Sequence, residues 1–396
     1  MRIRVAHVCT IDQSLRYLLL DQMRYLQGLG YDVVGVSTAG PDVPYLEERG
    51  LRHHAVTMTR RITPLADARA LWELVSLFRR ERITIVHGHN PKPGLLAQTA
   101  ARLAGVPVIV KTIHGFYFHD RMRPAPRRFY VAMEKLGAMQ SHGVLSQNPE
   151  DVVTAEREGI CAPGEIELLG NGIDLERFDP ARLDPAAQAA LRAKLGLGEG
   201  PVVGFVGRLV AEKGLLELFA AFAEARKRFP SARLLVVGPL DTEKADALSP
   251  ASAADFGIAD ACVFTGMRAD IPELLGLCDV FVLPSHREGF PRSAMEAAAM
   301  ERPVLTTDER GCRQTVLPGR TGLLVPVADA PALTRGLLEL LEQPERGRAM
   351  GKAGRELAKE RFDQRRVFDI VARMYARLLR ERGLPVPHEP SPTPRT

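Results

Sequence analysis

Short runs of β-branched residues alternate along the first half of the chain with longer stretches whose apolar positions recur every three to four residues. Residues 3–8 predict a strand. Residues 14–29 predict a helix, with Leu15, Leu18, Leu19, Gln22, Leu26 and Leu29 at helical spacing, Ser14 as N-cap and Gly30 as C-cap. Further strands are predicted at 32–37, 83–87, 107–112 and 143–146, and helices at 65–80, 94–104 and 126–139. This βαβα order argues for a parallel sheet covered by helices on both faces. Over 171–198 the texture changes to Asp-Pro breaks and closely spaced glycines, which reads as an inter-domain connection. A second series follows, with strands at 202–206, 233–237, 262–265, 280–283 and 303–306, and helical patterning from 332 to 379.

A length of 396 residues suits two domains. The expected division is 1–178, joined by a returning helix at 364–382, and 179–363, with a tail at 383–396. Five prolines in the last twelve residues predict that the tail is disordered. The expected fold class is therefore α/β. Two open parallel sheets facing each other would bring their strand carboxyl ends, and so their ligand loops, to one central cleft.

The net charge of +5 suits anionic small molecules or a membrane surface. No finger spacing or aromatic-basic pattern points to nucleic acid. The five cysteines are scattered without a Cys-x-x-Cys pair, which argues for a reducing, cytoplasmic setting and against a zinc site. The first residues read as a strand rather than a signal peptide, and no apolar run is long enough to span a bilayer.

Chemistry enters after the strand at 202–206, in Gly207-Arg208-Leu209 and Glu212-Lys213-Gly214. Gly207 allows a sharp turn, and Gly214 opens the next helix with its backbone accessible. Arg208 supplies a planar fork of donors and Lys213 a mobile point charge, together a site for diphosphate oxygens. Alone, the pattern also reads as a surface turn with two solvated cations. After the strand at 280–283 comes Ser285-His286-Arg287-Glu288-Gly289-Phe290-Pro291, then Glu296 on the following helix. Two carboxylates so placed suit the paired hydroxyls of a sugar and a ribose, while free amides near Phe290 face phosphates. Alone, they also read as acidic groups favoured by a helix dipole.

These two elements, in this order, resemble the retaining GT-B glycosyltransferases of the glycogen-synthase-like superfamily, family 4. The first half is similar to that family's bacterial polysaccharide and lipid-linked glycan branch through Val86-His87-Gly88-His89-Asn90-Pro91-Lys92-Pro93-Gly94, Thr112-Ile113-His114-Gly115-Phe116 and Asn171-Gly172-Ile173-Asp174. The resemblance covers roughly residues 1–380. It implies that Arg208 and Lys213 hold the donor diphosphate, Glu288 the donor sugar and Glu296 the ribose. It also implies donor contacts at Gly207, Met267, Gly289, Phe290 and Pro291, and a catalytic set of His114, Arg208, Lys213 and Glu288, with His114 facing the donor sugar.

Two departures stand out. Where many members carry a Gly-Gly pair, this chain has Ile11-Asp12-Gln13-Ser14-Leu15, so the Ser14 and Leu15 amides are the expected substitutes. Gln314 stands where the family often has a glutamate, which leaves its role open. His87 and His89 are expected on opposite faces of a strand end, which argues against a metal pair. No Asp-x-Asp occurs, and Asp241-Thr242-Glu243 reads as loop. No metal or other cofactor is therefore expected, only a nucleotide-sugar substrate, with UDP the expected nucleotide.

Arg121, Arg123, Arg127 and Arg128 beside Phe129 and Tyr130 suggest peripheral contact with the anionic inner face of a membrane. They equally suit a solvated loop leading into an amphipathic helix. The expected reaction is a same-face substitution in which the departing diphosphate takes the acceptor's proton. The rivals are a nucleotide-sugar epimerase, which would act without acceptor, and a non-catalytic nucleotide-sugar-binding protein.

Overall fold

The computed structural model describes residues 2–59, 62–89, 91–119, 122–242 and 244–388. The chain divides into two compact units, one of residues 1–170 with 365–396, the other of residues 171–364. The cut falls ahead of 178 because Ile173 and Phe178 are buried in the second unit's core, and Ile173 bridges to Asp363. Gly172 permits that approach, since a β-carbon there would lie 2.5 Å from the Gln364 Cα.

In the first unit the strands are β1 (Arg4–Ile11), β2 (Asp32–Thr38), β3 (Arg52–Ala55), β4 (Ile85–His89), β5 (Val108–Ile113), β6 (Gly143–Ser146) and β7 (Ile166–Leu168). They form one parallel sheet in the order β3-β2-β1-β4-β5-β6-β7. Its central strands are buried on both faces, so they read as nearly unbroken apolar runs. Val5, Cys9, Ile85, Val108 and Val110 face a core shared with the last helix, Gln364–Arg380. Ala6, Val8, Val34, Val36 and Ile109 face the helices Pro64–Arg80 and Pro91–Ala104.

The second unit repeats the plan with β8 (Val202–Val206), β9 (Arg233–Val237), β10 (Cys262–Gly266), β11 (Val280–Leu283), β12 (Val304–Thr307) and β13 (Gly322–Val325). Their order is β10-β9-β8-β11-β12-β13, again all parallel. Strand order therefore reverses between β1 and β4 in one sheet and between β8 and β11 in the other, the places where such sheets bind ligands.

Three strands escape the hydrophobic pattern: β3, β7 and β13, each of three or four residues at a sheet edge. An edge strand buries too little to need a long apolar run. Residues 171–198 are not a simple connection, for they carry the helix Pro185–Lys194 and belong to the second unit. Ser14 is not an N-cap. The chain turns helical at Asp12, and Ser14 lies inside that turn with φ −66° and ψ −37°.

Part of the expected disordered tail is seated. Leu384 and Val386 pack against the first core, and the His388 amide donates to the Leu29 carbonyl at 3.0 Å. Residues 389–396 lie outside the described residues.

The returning helix also satisfies a buried polar group. The Tyr375 hydroxyl sits 2.6 Å from His87 Nδ1, both residues being fully buried. Tyr375→Phe keeps the shape and orphans that nitrogen, so urea denaturation should show a loss of about 1–3 kcal/mol with an unchanged m-value.

Candidate active site

At the reversal point of the second sheet, two loops meet. Gly207 ends β8 under a tight crossing, because a β-carbon on Gly238 (φ 147°) would fall 1.8 Å from the Gly207 carbonyl oxygen. The chain then passes through Arg208 and the 3-10 turn Ala211–Lys213 to Gly214, the N-cap of the helix Leu215–Arg228. Gly214 has φ 73°, and a β-carbon there would lie 2.0 Å from the Pro284 carbonyl oxygen. Only glycine lets this turn press against the loop that follows β11.

That contact delivers the pairing. Lys213 Nζ lies 2.5 Å from Glu288 Oε1, which also accepts from the Ser285 hydroxyl at 2.8 Å. The His286 amide donates to the Glu212 carbonyl at 2.9 Å, Arg287 Nε to the Glu212 carboxylate at 2.8 Å, and His286 Nε2 lies 2.9 Å from Glu217 Oε1. These bonds pin the loop to the turn and the helix. Its far side is closed by Gly311, where a β-carbon would meet the Glu288 carbonyl oxygen at 2.5 Å. The charges set the protonation trends: the Glu217 pair raises the His286 pKa, while the Glu212 carboxyl is lowered beside Arg287 despite its burial.

Arg208, the expected partner of Lys213, is more exposed and donates to Asp241 Oδ2 at 2.5 Å. Asp241 therefore holds Arg208 at the site's edge; Glu243 lies outside the described residues. The backbone of Phe290 accepts from Asn171 Nδ2 at 2.9 Å, and its ring meets Phe362 edge-on. Pro291 is the N-cap of the helix Arg292–Ala299, which carries Glu296. Glu296 has Arg292 at 3.9 Å, and burial raises its pKa. Met267 is half exposed, beyond β10. Gln314 caps the short helix Arg310–Arg313, and its side-chain amide lies 3.5 Å from the Arg310 carbonyl.

In the first unit, Leu15 does not suit the amide role expected of it. Its side chain is fully buried, and its amide donates to the Asp12 carbonyl. Ser14 stays in the first helical turn, where amides are free of intrahelical partners. Asp12 anchors this loop by accepting from the Asp42 amide at 2.7 Å.

The sheet's carboxyl edge instead assembles histidines. His7 pairs in register with His87 across β1 and β4. The His87 and His89 rings stack at 4.3 Å, so the expectation of opposite faces fails: residues two apart on a strand share a face. His114, just past β5, places Nε2 2.9 Å from His89 Nδ1, and His89 Nε2 lies 3.0 Å from His7 Nδ1. His87 is bonded to Tyr375 and, through Nε2, to Thr112 at 2.6 Å. Of the six ring nitrogens of His7, His87 and His89, hydrogen bonds engage all but His7 Nε2. The trio is close enough to suggest a metal, yet all its nitrogens but His7 Nε2 are committed, to one another, to His114 and to hydroxyls.

Burial depresses all four histidines, His7 to about 3 and His114 to about 4, so they are neutral at pH 7. His7 and Tyr375 went unnoticed in the sequence, and Asp241 was read as loop without its partner Arg208. The one available signal was a histidine inside an otherwise apolar first strand.

Residues 187–357 match the family described as glycosyl transferases group 1, and residues 16–172 the glycosyl transferase 4-like domain. The chain is 30% identical to an Escherichia coli UDP-Gal:alpha-D-GlcNAc-diphosphoundecaprenol alpha-1,3-galactosyltransferase over 86% of its own length and 88% of the relative's. It is 34% identical to a GDP-mannose-dependent alpha-(1-6)-phosphatidylinositol monomannoside mannosyltransferase of Mycolicibacterium smegmatis, over 69% of this chain and 71% of that one. Among solved structures, Anabaena HepE in complex with UDP and glucose superposes with a TM-score of 0.83 at 18% identity, covering 95% of this chain and 100% of that one. That likeness shows the fold, two Rossmann-like parallel-sheet domains.

Neutral buried histidines carry a definite pH signature. Unfolding releases them to an ordinary pKa of about 6.5, so below that value the unfolded chain binds more protons. Their contribution is complete above about pH 6.5 and is lost as pH falls toward the folded values, at up to about 1.4 kcal/mol per pH unit per histidine. The raised His286 opposes this with one group. Urea midpoints measured from pH 7 to pH 5 should fall, and should fall less steeply in His7→Phe.

Proposed function

The chain belongs to the group 1 glycosyl transferases, and from that premise we propose that it transfers a sugar from a UDP-sugar, with retention, to a hydroxyl of a lipid-linked or glycan acceptor. The observation that carries the reading is the Lys213–Glu288 pair beside Arg208 at the strand-order reversal of the second sheet. UDP is supported by the E. coli relative's UDP-Gal and by UDP in the HepE complex. Relatives that use GDP-mannose make the base a point to measure.

In the proposed reaction the bond between the sugar's anomeric carbon and the diphosphate oxygen breaks. The acceptor oxygen bonds to that carbon on the same face, and its proton passes to the departing diphosphate. Arg208 and Lys213 offset the charge that develops on the leaving group, so this route needs neither a separate base nor a metal. Lys213 has three donors and can keep Glu288 while reaching a phosphate oxygen. Glu288, held by Lys213 and Ser285, keeps a second carboxylate oxygen for sugar hydroxyls. Glu296 is assigned to the ribose and His114 to a substrate hydroxyl.

Lys213→Ala and Glu288→Gln should each lower kcat by about a hundred- to a thousandfold, with chelator leaving the parent rate unchanged. A thermal-shift panel of UDP-, GDP-, ADP- and dTDP-sugars should give its largest shift with a UDP-sugar. Near-normal turnover in either variant sinks the assignment, and a larger shift with another base sinks UDP.

A lipid-linked acceptor is supported by one helix of the first unit. Along Pro124–Gln140, Phe129, Leu136 and Met139 are 47%, 51% and 68% exposed, on one face flanked by exposed Arg128 and Lys135. Arg123 is exposed ahead of it, but Arg127 is held bidentately by Glu158, and Arg121 lies outside the described residues. Of the four arginines expected at a membrane, Arg123 and Arg128 therefore carry the proposal. Flotation with vesicles containing anionic lipid should capture the protein. Arg128→Glu with Phe129→Ser should release it, whereas equal capture by neutral vesicles would contradict the electrostatic part.

A further inference from the structure

Beneath His114 lies a row of imidazoles that runs away from the surface. The two links, His114 Nε2 to His89 Nδ1 at 2.9 Å and His89 Nε2 to His7 Nδ1 at 3.0 Å, leave one further ring nitrogen at each terminus. At the buried end this is His7 Nε2, which is enclosed without a partner. At the outer end it is His114 Nδ1, on a ring that is only partly buried and shares a hydrogen bond with the Gln147 side chain.

A neutral imidazole carries one N–H and one lone pair, so two links in series have only two consistent orientations. In one, every proton points inward, and the row ends in a buried N–H with nothing to receive it. In the other, every proton points outward, and the row ends in a buried lone pair. Orphaned buried donors are the rarer of the two in folded proteins, and the outward orientation avoids one. His7 Nδ1–H then donates to His89 Nε2, His89 Nδ1–H donates to His114 Nε2, and the proton of His114 resides on Nδ1. Gln147 can accept from it through its amide oxygen, a contact that a substrate hydroxyl would share or displace, so no donor is left over.

We propose that His7 and His89 are positioning residues that lock His114 in its Nδ1–H tautomer, leaving that N–H as the ring's single polar atom able to meet a substrate hydroxyl. Either orientation occupies Nε2, so substrate can meet only Nδ1. The lock decides that Nδ1 donates. This rests on the reading of His114 as a substrate-contacting group, but its first test does not. The neutral state of all three rings supports it, because a charged ring would break the single-proton count.

The experiment is long-range proton–nitrogen NMR of the uniformly 15N-labelled full chain at pH 7.5, with the His114 resonances identified by their loss in His114→Asn. The expected spectrum shows a protonated Nδ1 and a bare Nε2 on His114. A His114 ring protonated on Nε2 overturns the proposal outright. His7→Asn should retain the pattern, since its side-chain amide can stand in for Nδ1–H. His7→Asp exchanges the first donor for an acceptor and should reverse the row, moving the His114 proton to Nε2, with kcat falling by at least about twofold as the competent fraction drops and KM unchanged. If His7→Asp lowers the melting temperature yet keeps a single Nδ1–H tautomer and full kcat, His7 is structural and the lock is refuted. If the tautomer is as assigned but His114→Ala turns over normally, the lock stands and the substrate role of His114 fails.

Discussion

Strands covered on both faces leave polar chemistry only one place to emerge, and the rest of this molecule follows from that constraint. Within β1, β2, β5, β8 and β11 almost every side chain is enclosed. A charged group in those positions needs a buried partner, as Lys111 of β5 has in Glu134. Polar side chains therefore gather where the strands end and where adjacent connections diverge to opposite sides. In the second unit that is the Arg208–Glu288 region. In the first it is the row of histidines, which are polar enough to bond one another and neutral enough to tolerate enclosure.

The second site is already balanced without a ligand. Lys213 rests on Glu288 and Arg208 on Asp241, so neither cation waits bare for a phosphate. A half-buried cation left alone would be costly, and removing one member of such a pair strands the other. On the proposed reading, an incoming phosphate would share Lys213 with Glu288 rather than simply fill a positive hole. That favours a ligand able to engage both groups at once, a diphosphate joined to a sugar.

The sequence made the two sheets and their central strands legible, because a doubly covered strand must be apolar throughout. It hid β3, β7 and β13, short edge segments that bury little. The first-loop error at Ser14 arose because Asp12, not Ser14, turns the chain, fixed by a carboxylate that reaches thirty residues ahead to Asp42. Lys213 and Glu288 could be assigned to one site in advance through motif order, though their ion pair could not. Arg208 with Asp241 and His87 with Tyr375 could not, since each joins positions with no shared motif. For the histidines the strand period was available and misapplied: an i, i+2 pair shares a face, and the stack followed from that alone.

The helix Gln364–Arg380 completes the first unit's core although it is made after the second unit. During synthesis, the second unit, a continuous segment, leaves the ribosome whole while the first still lacks Val371, Met374 and Tyr375. The usual order of vectorial folding, amino-terminal domain first, is thereby inverted. His87 cannot gain its tyrosine until the whole second unit has been made, so a nascent chain halted short of this helix would hold a finished second unit and an unfinished first.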